Sequence, residues 1–522
     1  MAPRTSGAAL GVENYVVQAP ALEVVGSGKP GLTGADDHDV GSGRIHSPMI
    51  VAPGVPALVL AHGDGRSIMT AGKVTGRGKG SGTGTGNGKA ARLAKALAVV
   101  LGTPEIPLRL RAWDGSEAGP EGAPILEFRS RRALRRILWS PGQLGLSRAY
   151  VAGDIDSPGN IFAAFSALSS AGKFAEPGPF RPLTAAEIWT LLRTAVRLGA
   201  LGPNPAPPPE EARVVRKGRL HSRRRDVAAI SHHYDVGNEF YALVLGPSMV
   251  YSCAVWPEAG YGSERTDGSH SLAVGLDAAQ EAKLDLVCRK LGLRPGMRVL
   301  DVGCGWGSFA LHAAGKYGAT VVGVTLSTEQ AILARKRAAD AGLTERVDIR
   351  VQDYRDVLDG PFDAISSIGM SEHVGREQTA GYAAALLGLL KPGGRLLNHA
   401  ISWNAGPTKP DPDSFIPRYV FPDGEMISLG EMVSALETAG FEILDVEALR
   451  QHYALTLRAW VSRLEDNWDQ AVQLTSQGRA RVWRLYMASS ALGFENGLTG
   501  VNQVLVQRPG GEQPPLRRTA WL

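Results

Sequence analysis

Residues 299–307, with the sequence VLDVGCGWG, decide the fold of this chain. An apolar run typical of a buried strand enters a glycine-rich turn, and the helical pattern 308–316 follows it. Gly303, Gly305 and Gly307 let the backbone turn sharply and approach a ligand without Cβ collisions, while the first turn of the helix offers free N–H groups. This arrangement predicts the nucleotide-facing turn of a doubly wound α/β domain.

The end of the next predicted strand narrows the choice of ligand. The strand 320–324 runs into Thr325, Leu326 and Ser327, without the acidic residue that would hold a nicotinamide ribose, and no Gly-Lys-Ser/Thr phosphate loop follows. This pattern favours an S-adenosylmethionine pocket, in which Asp301 would face the cationic amino-acid end of the cofactor. A glycine turn in some other α/β fold is the alternative, since such motifs also occur by chance.

Strand and helix patterns alternate around this turn. Leu284, Val287 and Leu291 share one face of a helix that stops before Gly292. Further strands are predicted at 298–302, 347–351, 362–368 and 394–402, with a helix at 381–390 and a late antiparallel strand at the sheet edge, 501–507. We therefore expect an α/β protein with a doubly wound, mostly parallel seven-stranded sheet.

Composition excludes several classes of protein. The chain has 522 residues, 44% of them hydrophobic, and a formal net charge of +5. Its scattered cysteines, Cys253, Cys288 and Cys304, favour a reducing compartment and neither a disulfide framework nor a zinc site. The most apolar early stretch, 49–61, is broken by prolines and is too short to span a bilayer, so we expect any membrane contact to be peripheral.

The chain divides into five segments. Residues 1–88 are rich in Gly, Ser and Pro and are expected to be a disordered leader, with Met49 or Met69 as alternative natural starts. Residues 89–200 predict a smaller mixed α+β domain, with a strand at 125–128 and helices at 131–138 and 144–151. A Pro-rich and basic linker, 201–225, leads into the catalytic domain 226–510 and a tail, 511–522.

Two basic clusters stand in the first half of the chain. The five arginines between Arg129 and Arg136 form either a solvated helix face or a surface that attracts anionic lipid headgroups. The second cluster, 213–225, lacks interleaved aromatic residues, so we expect no nucleic-acid partner.

The motifs of the second half support a family resemblance. They are 231–241 (SHHYDVGNEFY), 251–254 (YSCA), 300–307, 323–327 (GVTLS), 371–375 (SEHVG) and 421–424 (FPDG). Over residues 213–507 the chain resembles the cyclopropane-fatty-acyl-phospholipid synthases and the related mycolic acid methyltransferases. Residues 131–156 are similar to the N-terminal domain of the phospholipid-acting members, which favours a phospholipid substrate.

The resemblance implies a class I S-adenosylmethionine-dependent methyltransferase. In this family the sulfonium methyl is added to the cis double bond of an acyl chain, and the resulting carbocation loses a proton from the new methyl to a bound bicarbonate, which closes a cyclopropane ring. Loss of a neighbouring chain proton instead would give a 10-methylene chain, which a partner reductase could convert to a methyl branch. The third alternative is a lipid or cofactor binder without turnover.

The resemblance also assigns residues. It implies a bicarbonate site at Cys253, Glu372, His399, Ile401 and Tyr453. Singly, Cys253, His399 and Tyr453 are more often ordinary packing residues, and their joint occurrence in the family's order is what favours a site. No metal is expected.

The donor contacts carry over in the same way. They are Tyr251 and Ser252 at the methionine end, Asp301, Gly303 and Gly305 around the glycine turn, Thr325, Leu326 and Gln330 at the ribose and adenine, and Gln352 and Asp353 at the adenine edge. Two positions depart from the family. Gln352 stands where the mycolate enzymes tend to carry an aromatic residue, and Ser490 stands where many synthases have cysteine.

The expected surroundings follow from this chemistry. We expect a peripheral protein at the cytoplasmic face of the cell membrane that acts on phospholipid with unsaturated acyl chains, and a homodimer is compatible with this. An apolar channel for the acyl chain is expected among residues 403–426, 455–474 and 480–492.

Overall fold

The computed structural model describes residues 88–140, 142–171, 184–211, 225, 236–257, 269–403 and 414–521. The predicted leader up to residue 87, the basic segment 213–224 and the motif residues 231–235 lie outside the described residues. Among the described residues no helix has the length and apolar character needed to cross a membrane.

The first folded part is the small mixed α+β domain that the sequence predicts. Its elements are α1 (Lys89–Leu101), β1 (Arg109–Arg111), β2 (Glu117–Ala118), β3 (Ile125–Phe128), α2 (Arg132–Trp139), α3 (Gln143–Val151), β4 (Ile155–Asp156), α4 (Ile161–Ser169) and α5 (Ala185–Arg197). The strands form a sheet in the order β2-β1-β3-β4, in which β1 and β3 are parallel. Leu93, Leu108, Leu110 and Phe128 are buried at its centre.

The main sheet has seven strands, as predicted. They are β5 (Arg298–Val302), β6 (Thr320–Thr325), β7 (Val347–Val351), β8 (Phe362–Ile368), β9 (Leu390–Trp403), β10 (Glu442–Ala448) and β11 (Thr499–Gln507), in the order β10-β11-β9-β8-β5-β6-β7. Strands β5 to β9 are mutually parallel where they pair, and β11 is antiparallel to both of its neighbours.

The predicted place of the late strand at the sheet edge is wrong. Strand β11 lies between β9 and β10, and the edge is formed by β10, which the sequence did not reveal. The physical reason is visible in the burial of β11, which is covered almost throughout, as expected of an inner strand. Strand β10 carries Glu442, Asp445 and Glu447, and such charges are common on strands at an edge.

Helices cover both faces of this sheet. They are α6 (Asn238–Leu245), α7 (Ser269–Leu291), α8 (Ser308–Tyr317), α9 (Thr328–Asp340), α10 (Thr379–Leu389), α11 (Phe415–Tyr419), α12 (Leu429–Ala439), α13 (Arg450–Asp466), α14 (Trp468–Leu474) and α15 (Gln477–Glu495). Neighbouring residues of β5 enter different cores, Val299 on one face and Leu300 on the other, because side chains alternate along a strand.

The small domain packs onto a helical layer built from α6, α13 and α15. Tyr150 and Phe162 from the small domain share one apolar cluster with Trp460 and Trp483. Arg481 of α15 donates from Nε to the Tyr150 carbonyl at 2.7 Å and from Nη2 to the Ile155 carbonyl at 2.7 Å. These contacts anchor the small domain on the catalytic one.

The first basic cluster is mostly engaged in ion pairs, which neither sequence alternative anticipated. Arg136 is buried and its Nε lies 2.9 Å from Asp154, while Arg132 reaches the other oxygen of the same carboxylate at 3.1 Å. Arg136 also donates to the carbonyl of Ala206 at 2.7 Å, so the linker lies against the domain. Burial of Asp154 explains the pairing, because a buried carboxylate needs a partner.

Candidate active site

A pocket opens where the glycine turn meets the ends of β5, β6 and β8. Gly303, Gly305 and Gly307 have φ values of 76°, 54° and 79°, the left-handed conformation that the sequence pattern predicts for this turn. The amides of Gly303 and Cys304 both donate to the carbonyl of Val324, at 2.9 and 3.0 Å, which fastens the turn to β6.

Every residue predicted to contact the donor lines this one pocket. They are Tyr251, Ser252, Asp301, Gly303, Gly305, Thr325, Leu326, Gln330, Gln352 and Asp353. Positions up to a hundred residues apart in sequence therefore meet at the carboxyl end of the parallel strands, which is where ligands bind in this class of sheet.

Asp301 has the unfilled oxygen that a bound cation requires. Its side chain is 2% exposed, and its Oδ1 accepts a hydrogen bond from Ser366 Oγ at 2.5 Å. Its Oδ2 is buried and has no partner among the described residues. Burial raises the pKa of Asp301 to about 6. A nearby ammonium group would satisfy Oδ2 and favour the ionised form.

Lys283 is a pocket residue that the sequence analysis missed. It is 1% exposed, and its Nζ donates to Ser252 Oγ at 3.0 Å. Burial lowers the pKa of Lys283 to about 8. The signal was present in the sequence, since Leu276, Gln280, Lys283 and Val287 form one buried helical stripe and a lysine within such a stripe is rare.

The far end of the pocket is closed by a polar wall. Thr325 Oγ1 and Gln330 Oε1 are hydrogen bonded at 2.9 Å. The carboxylate of Asp353 accepts from the Arg355 backbone amide at 3.0 Å and from its Nε at 2.8 Å, so it is held within its own turn. Tyr354 and Arg355 also line the pocket and were not predicted. Tyr354 supplies an aromatic ring in the segment where Gln352 departs from the family.

The residues predicted for the bicarbonate site lie in the interior beside this pocket, and none of them is in its lining. Glu372 and Ile401 are in direct contact, because Glu372 Oε1 accepts from the Ile401 amide at 2.8 Å. Glu372 Oε2 is buried without a described partner, and burial raises the pKa of Glu372 to about 7.

His399 is two residues before Ile401 on β9, so both side chains are on the same side of the strand. Its Nδ1 is 3.2 Å from Gln503 Nε2 on β11, and with the amide in this orientation Nδ1 accepts and the ring proton is on Nε2. Nε2 is buried without a described partner. Burial lowers the pKa of His399 to about 3, so the ring is neutral.

Cys253 and Tyr453 meet at a single carbonyl. The Cys253 thiol contacts the Leu449 oxygen at 3.6 Å, and the Tyr453 amide donates to the same oxygen at 3.1 Å. Burial raises the pKa of the Cys253 thiol far above its ordinary value. Cys253 is therefore a neutral packing residue with a weak S–H donor, and it does not act as a thiolate.

Aromatic residues connect the pocket to this interior. Tyr251, in the pocket wall, has its hydroxyl 3.4 Å from that of Tyr486 on α15, a residue the sequence analysis did not single out. Its ring packs on Trp460 and Trp483, with centroid distances of 5.4 and 5.9 Å. Burial, with a smaller contribution from the negative charge of Glu372, raises the pKa of Tyr486 to about 12.

Two polar atoms of this interior lack partners among the described residues. Glu372 Oε2 is an unfilled acceptor and His399 Nε2 is an unfilled donor, both buried. A hydrogen carbonate ion carries one hydroxyl donor and several acceptor oxygens, and so could satisfy both atoms. Among the described residues, no group of His, Cys, Asp and Glu is arranged to hold a metal ion.

The fold and the pocket are those of an S-adenosylmethionine-dependent methyltransferase. The sequence model described as mycolic acid cyclopropane synthetase matches residues 221–504, more than half of the chain, and the protein belongs to this family. Its relatives include a probable fatty acid methyltransferase and a cyclopropane-fatty-acyl-phospholipid synthase, in agreement with the predicted resemblance.

Three relatives illustrate the range of the family. A probable fatty acid methyltransferase of Mycobacterium tuberculosis is 40% identical over 81% of this chain and 97% of its own length. A tuberculostearic acid methyltransferase of the same organism is 34% identical, covering 78% and 88%. The cyclopropane-fatty-acyl-phospholipid synthase of Escherichia coli is 37% identical, covering 53% and 66%.

Proposed function

We propose that this protein alkylates the cis double bond of an unsaturated acyl chain within a membrane phospholipid and yields a cyclopropane chain. The observation that carries the proposal is that two buried polar atoms, Glu372 Oε2 and His399 Nε2, are unfilled. The ring of Trp460 contacts both Tyr251 of the donor pocket and Tyr453. The relationship to a phospholipid synthase supports the choice of substrate.

The donor would be held by charge at its amino-acid end. Asp301 Oδ2 is available to the ammonium group, while Ser252, backed by the Lys283 ammonium, is available to the carboxylate. S-adenosylmethionine supplies an electrophilic methyl carbon. The glycine turn lets the backbone approach this donor closely, and Gln330, bonded to Thr325, faces the pocket beside the next strand.

The aromatic rings then protect the positive charge that develops on the alkylated chain. Tyr251, Trp460 and Trp483 exclude water from the region beside the donor pocket. The faces of such rings also attract cations, so they stabilise a carbocation without acting as nucleophiles.

Ring closure requires that a proton leave the new methyl carbon. Bicarbonate, held by Glu372 and His399, would supply the base. Glu372 can accept the hydroxyl hydrogen of the anion, and neutral His399 can donate to one of its oxygens. Ile401 orients the Glu372 carboxylate through its backbone amide, while Tyr453 and Cys253 complete the surroundings.

A methylene-branched product is the second candidate. It is favoured by the relationship to the tuberculostearic acid methyltransferase, which covers far more of both chains than the phospholipid synthase does. The two routes share the donor pocket and the alkylation step and differ only in which proton is lost. This product would require a partner reductase to become a methyl branch.

The test is incubation of the protein with labelled S-adenosylmethionine and dioleoyl phospholipid, followed by mass spectrometry and NMR of the lipid. Ring protons at high field support the first candidate, and exocyclic methylene protons support the second. Label that stays out of the lipid while the donor still binds would contradict both and indicate a binder without turnover.

Two variants test the assigned roles. We expect Glu372→Gln and His399→Ala each to lose most of the turnover while retaining the affinity for S-adenosylmethionine, since neither residue lines the donor pocket. If the affinity for S-adenosylmethionine fell together with turnover, these residues would belong to the donor pocket and the assigned roles would be wrong.

We also infer that the enzyme meets its lipid as a peripheral protein at the cytoplasmic face of the membrane. Cys253, Cys288 and Cys304 are free and buried, which is consistent with a reducing compartment.

A further inference from the structure

Helix α5 of the small domain turns an apolar stripe to solvent. Ile188, Leu192 and Val196 recur every four residues along it and are all exposed, and the adjacent Trp189 is 72% exposed. A stripe with this spacing normally faces a core. Single exposed apolar side chains are common, whereas a contiguous set marks an interaction surface.

The stripe continues onto α2 through the turn that follows α5. Trp139 of α2 donates from its indole nitrogen to the Gly202 carbonyl at 3.0 Å and is itself 56% exposed. Arg135 reaches the Gly199 carbonyl at 3.5 Å, and Leu201 between these glycines is exposed. We call this the α5–α2 surface, formed by Trp139, Ile188, Trp189, Leu192, Val196 and Leu201.

Arginines border this surface. Arg193 and Arg197 follow Trp189 at helical spacing on α5, and Arg131, which directly precedes α2, lies beside Gly199. These three are exposed and form no ion pair with another described residue, unlike Arg136 and Arg132 behind them. The acidic residue of α5, Glu187, is occupied in the capping box with Thr184.

We propose that the α5–α2 surface docks the enzyme on an anionic phospholipid bilayer. Tryptophan and aliphatic side chains enter the headgroup region, and arginines beside them pair with lipid phosphates. A second copy of the chain is a poorer occupant, because a two-fold contact would bring the same arginines face to face. The proposal rests on the proposed function, since it explains how a bilayer lipid is reached.

Vesicle co-sedimentation tests the surface directly. The full chain should bind vesicles of phosphatidylcholine and phosphatidylglycerol and bind pure phosphatidylcholine weakly. The double variant Arg193→Gln with Arg197→Gln should lower the vesicle partition coefficient about 30-fold, because each basic residue contributes about 1 kcal/mol near an anionic surface. High salt should remove this difference between the variant and the parent. Trp189→Ser with Leu192→Ser should weaken binding at any salt concentration.

Controls separate this inference from the catalytic one. Ile332→Ser replaces an equally exposed apolar residue on α9 and should bind vesicles as the parent does. The α5 variants should turn over detergent-dispersed phospholipid normally and lose turnover only on vesicles. If the α5 variants bound vesicles as well as the parent does, the proposed membrane-docking role of the α5–α2 surface would be wrong. It would also be wrong if light scattering showed that these variants lose self-association while their vesicle binding is intact. Absence of turnover on dispersed lipid would contradict the proposed function alone.

Discussion

The ammonium nitrogen of Lys283 lies 3.0 Å from the hydroxyl oxygen of Ser252, in the wall of the donor pocket. The neighbouring Gln280 donates to the Ser252 carbonyl at 2.9 Å, so two residues of one helix hold this serine. Because an anion next to a buried ammonium stabilises its charged form, the donor carboxylate and Lys283 should strengthen each other.

We expect Lys283→Met to weaken S-adenosylmethionine binding about tenfold or more, since a charge-assisted contact contributes roughly 1.5–3 kcal/mol. Isothermal titration calorimetry would measure this. Lys290→Met is the matched control, because Lys290 is buried on the same helix but is paired with Asp445 at 3.3 Å. Loss of Lys290 should lower the stability of the fold and leave the donor affinity of the folded protein unchanged. Equal donor affinity in Lys283→Met would contradict the role.

Donor binding should also depend on pH through Lys283. Burial lowers its pKa to about 8, so in the ligand-free protein the ammonium is lost as pH rises through this value. The affinity for the donor should therefore fall above about pH 8. Lys283→Met should show a smaller fall, because only the donor's own amino group, which faces Asp301, still loses a proton there. Calorimetry at pH 7 and pH 9 on both proteins would check it.

Glu372 should make the free enzyme less stable as pH rises. Burial raises its pKa from 4.5 to about 7, so the folded state binds a proton that the unfolded state has lost, and stability falls across this interval and is constant above it. Relative to Glu372→Gln, the parent should lose on the order of 3 kcal/mol between pH 4.5 and pH 8.

Urea unfolding of both proteins at several pH values would measure the difference. The exposed Glu345→Gln is the control and should show a difference that does not change with pH. A difference that was flat for Glu372→Gln as well would show that this carboxyl is not buried in the free enzyme.

Arg481 should hold the two folded parts together. It is buried and donates to the carbonyls of Tyr150 and Ile155 in the small domain. Arg481→Leu removes the donor to these two buried carbonyls, while Asp156 keeps Arg129 at 2.7 Å. An unsatisfied buried acceptor costs about 1–3 kcal/mol, so the substitution should cost about 2–5 kcal/mol. Urea unfolding would measure the loss, and Lys336→Leu, which breaks an exposed i,i+4 pair with Asp340, should cost less than about 1 kcal/mol. If Arg481→Leu also lowered the free energy of unfolding by less than about 1 kcal/mol, the anchoring role of Arg481 would be contradicted.

The sequence predicted those parts of the fold in which local pattern and tertiary position agree. The glycine turn after β5 needs positive φ at three glycines, and only that residue type meets the need cheaply. Strand β10 escaped detection because its charges mask the period-two pattern. Arg136 was misjudged because its partner Asp154 comes from a distant turn, and sequence spacing does not show such a pairing.

The residues of the candidate site also fall into those that the sequence predicted and those that it did not. Residues that belong to motifs, such as Asp301 and Glu372, could be named in advance from the resemblance. Lys283 was missed although a lysine within an apolar helical stripe is an unusual signal. Tyr486 could not be named, because it lies in a helix whose pattern is that of ordinary packing. Only the fold shows that these residues contact Ser252 and Tyr251. The unfilled atoms of Glu372 and His399 likewise become visible only when every neighbour is in place.

Ser490, the second departure from the family, should not limit turnover. It is partly buried on α15, and burial disfavours the charged thiolate form of a cysteine. A cysteine at this position would therefore be largely protonated and a weak nucleophile, and the proposed reaction needs no thiolate.

We expect Ser490→Cys to keep kcat within about twofold of the parent, because a serine-to-cysteine change is nearly isosteric, and to gain at most slow reactivity with thiol reagents. Steady-state turnover of labelled donor on oleoyl phospholipid, before and after treatment with iodoacetamide, would measure both properties. A large rise in kcat that iodoacetamide abolished would mean that a thiol takes part in the reaction and would overturn the assignment of the chemistry to Glu372 and His399.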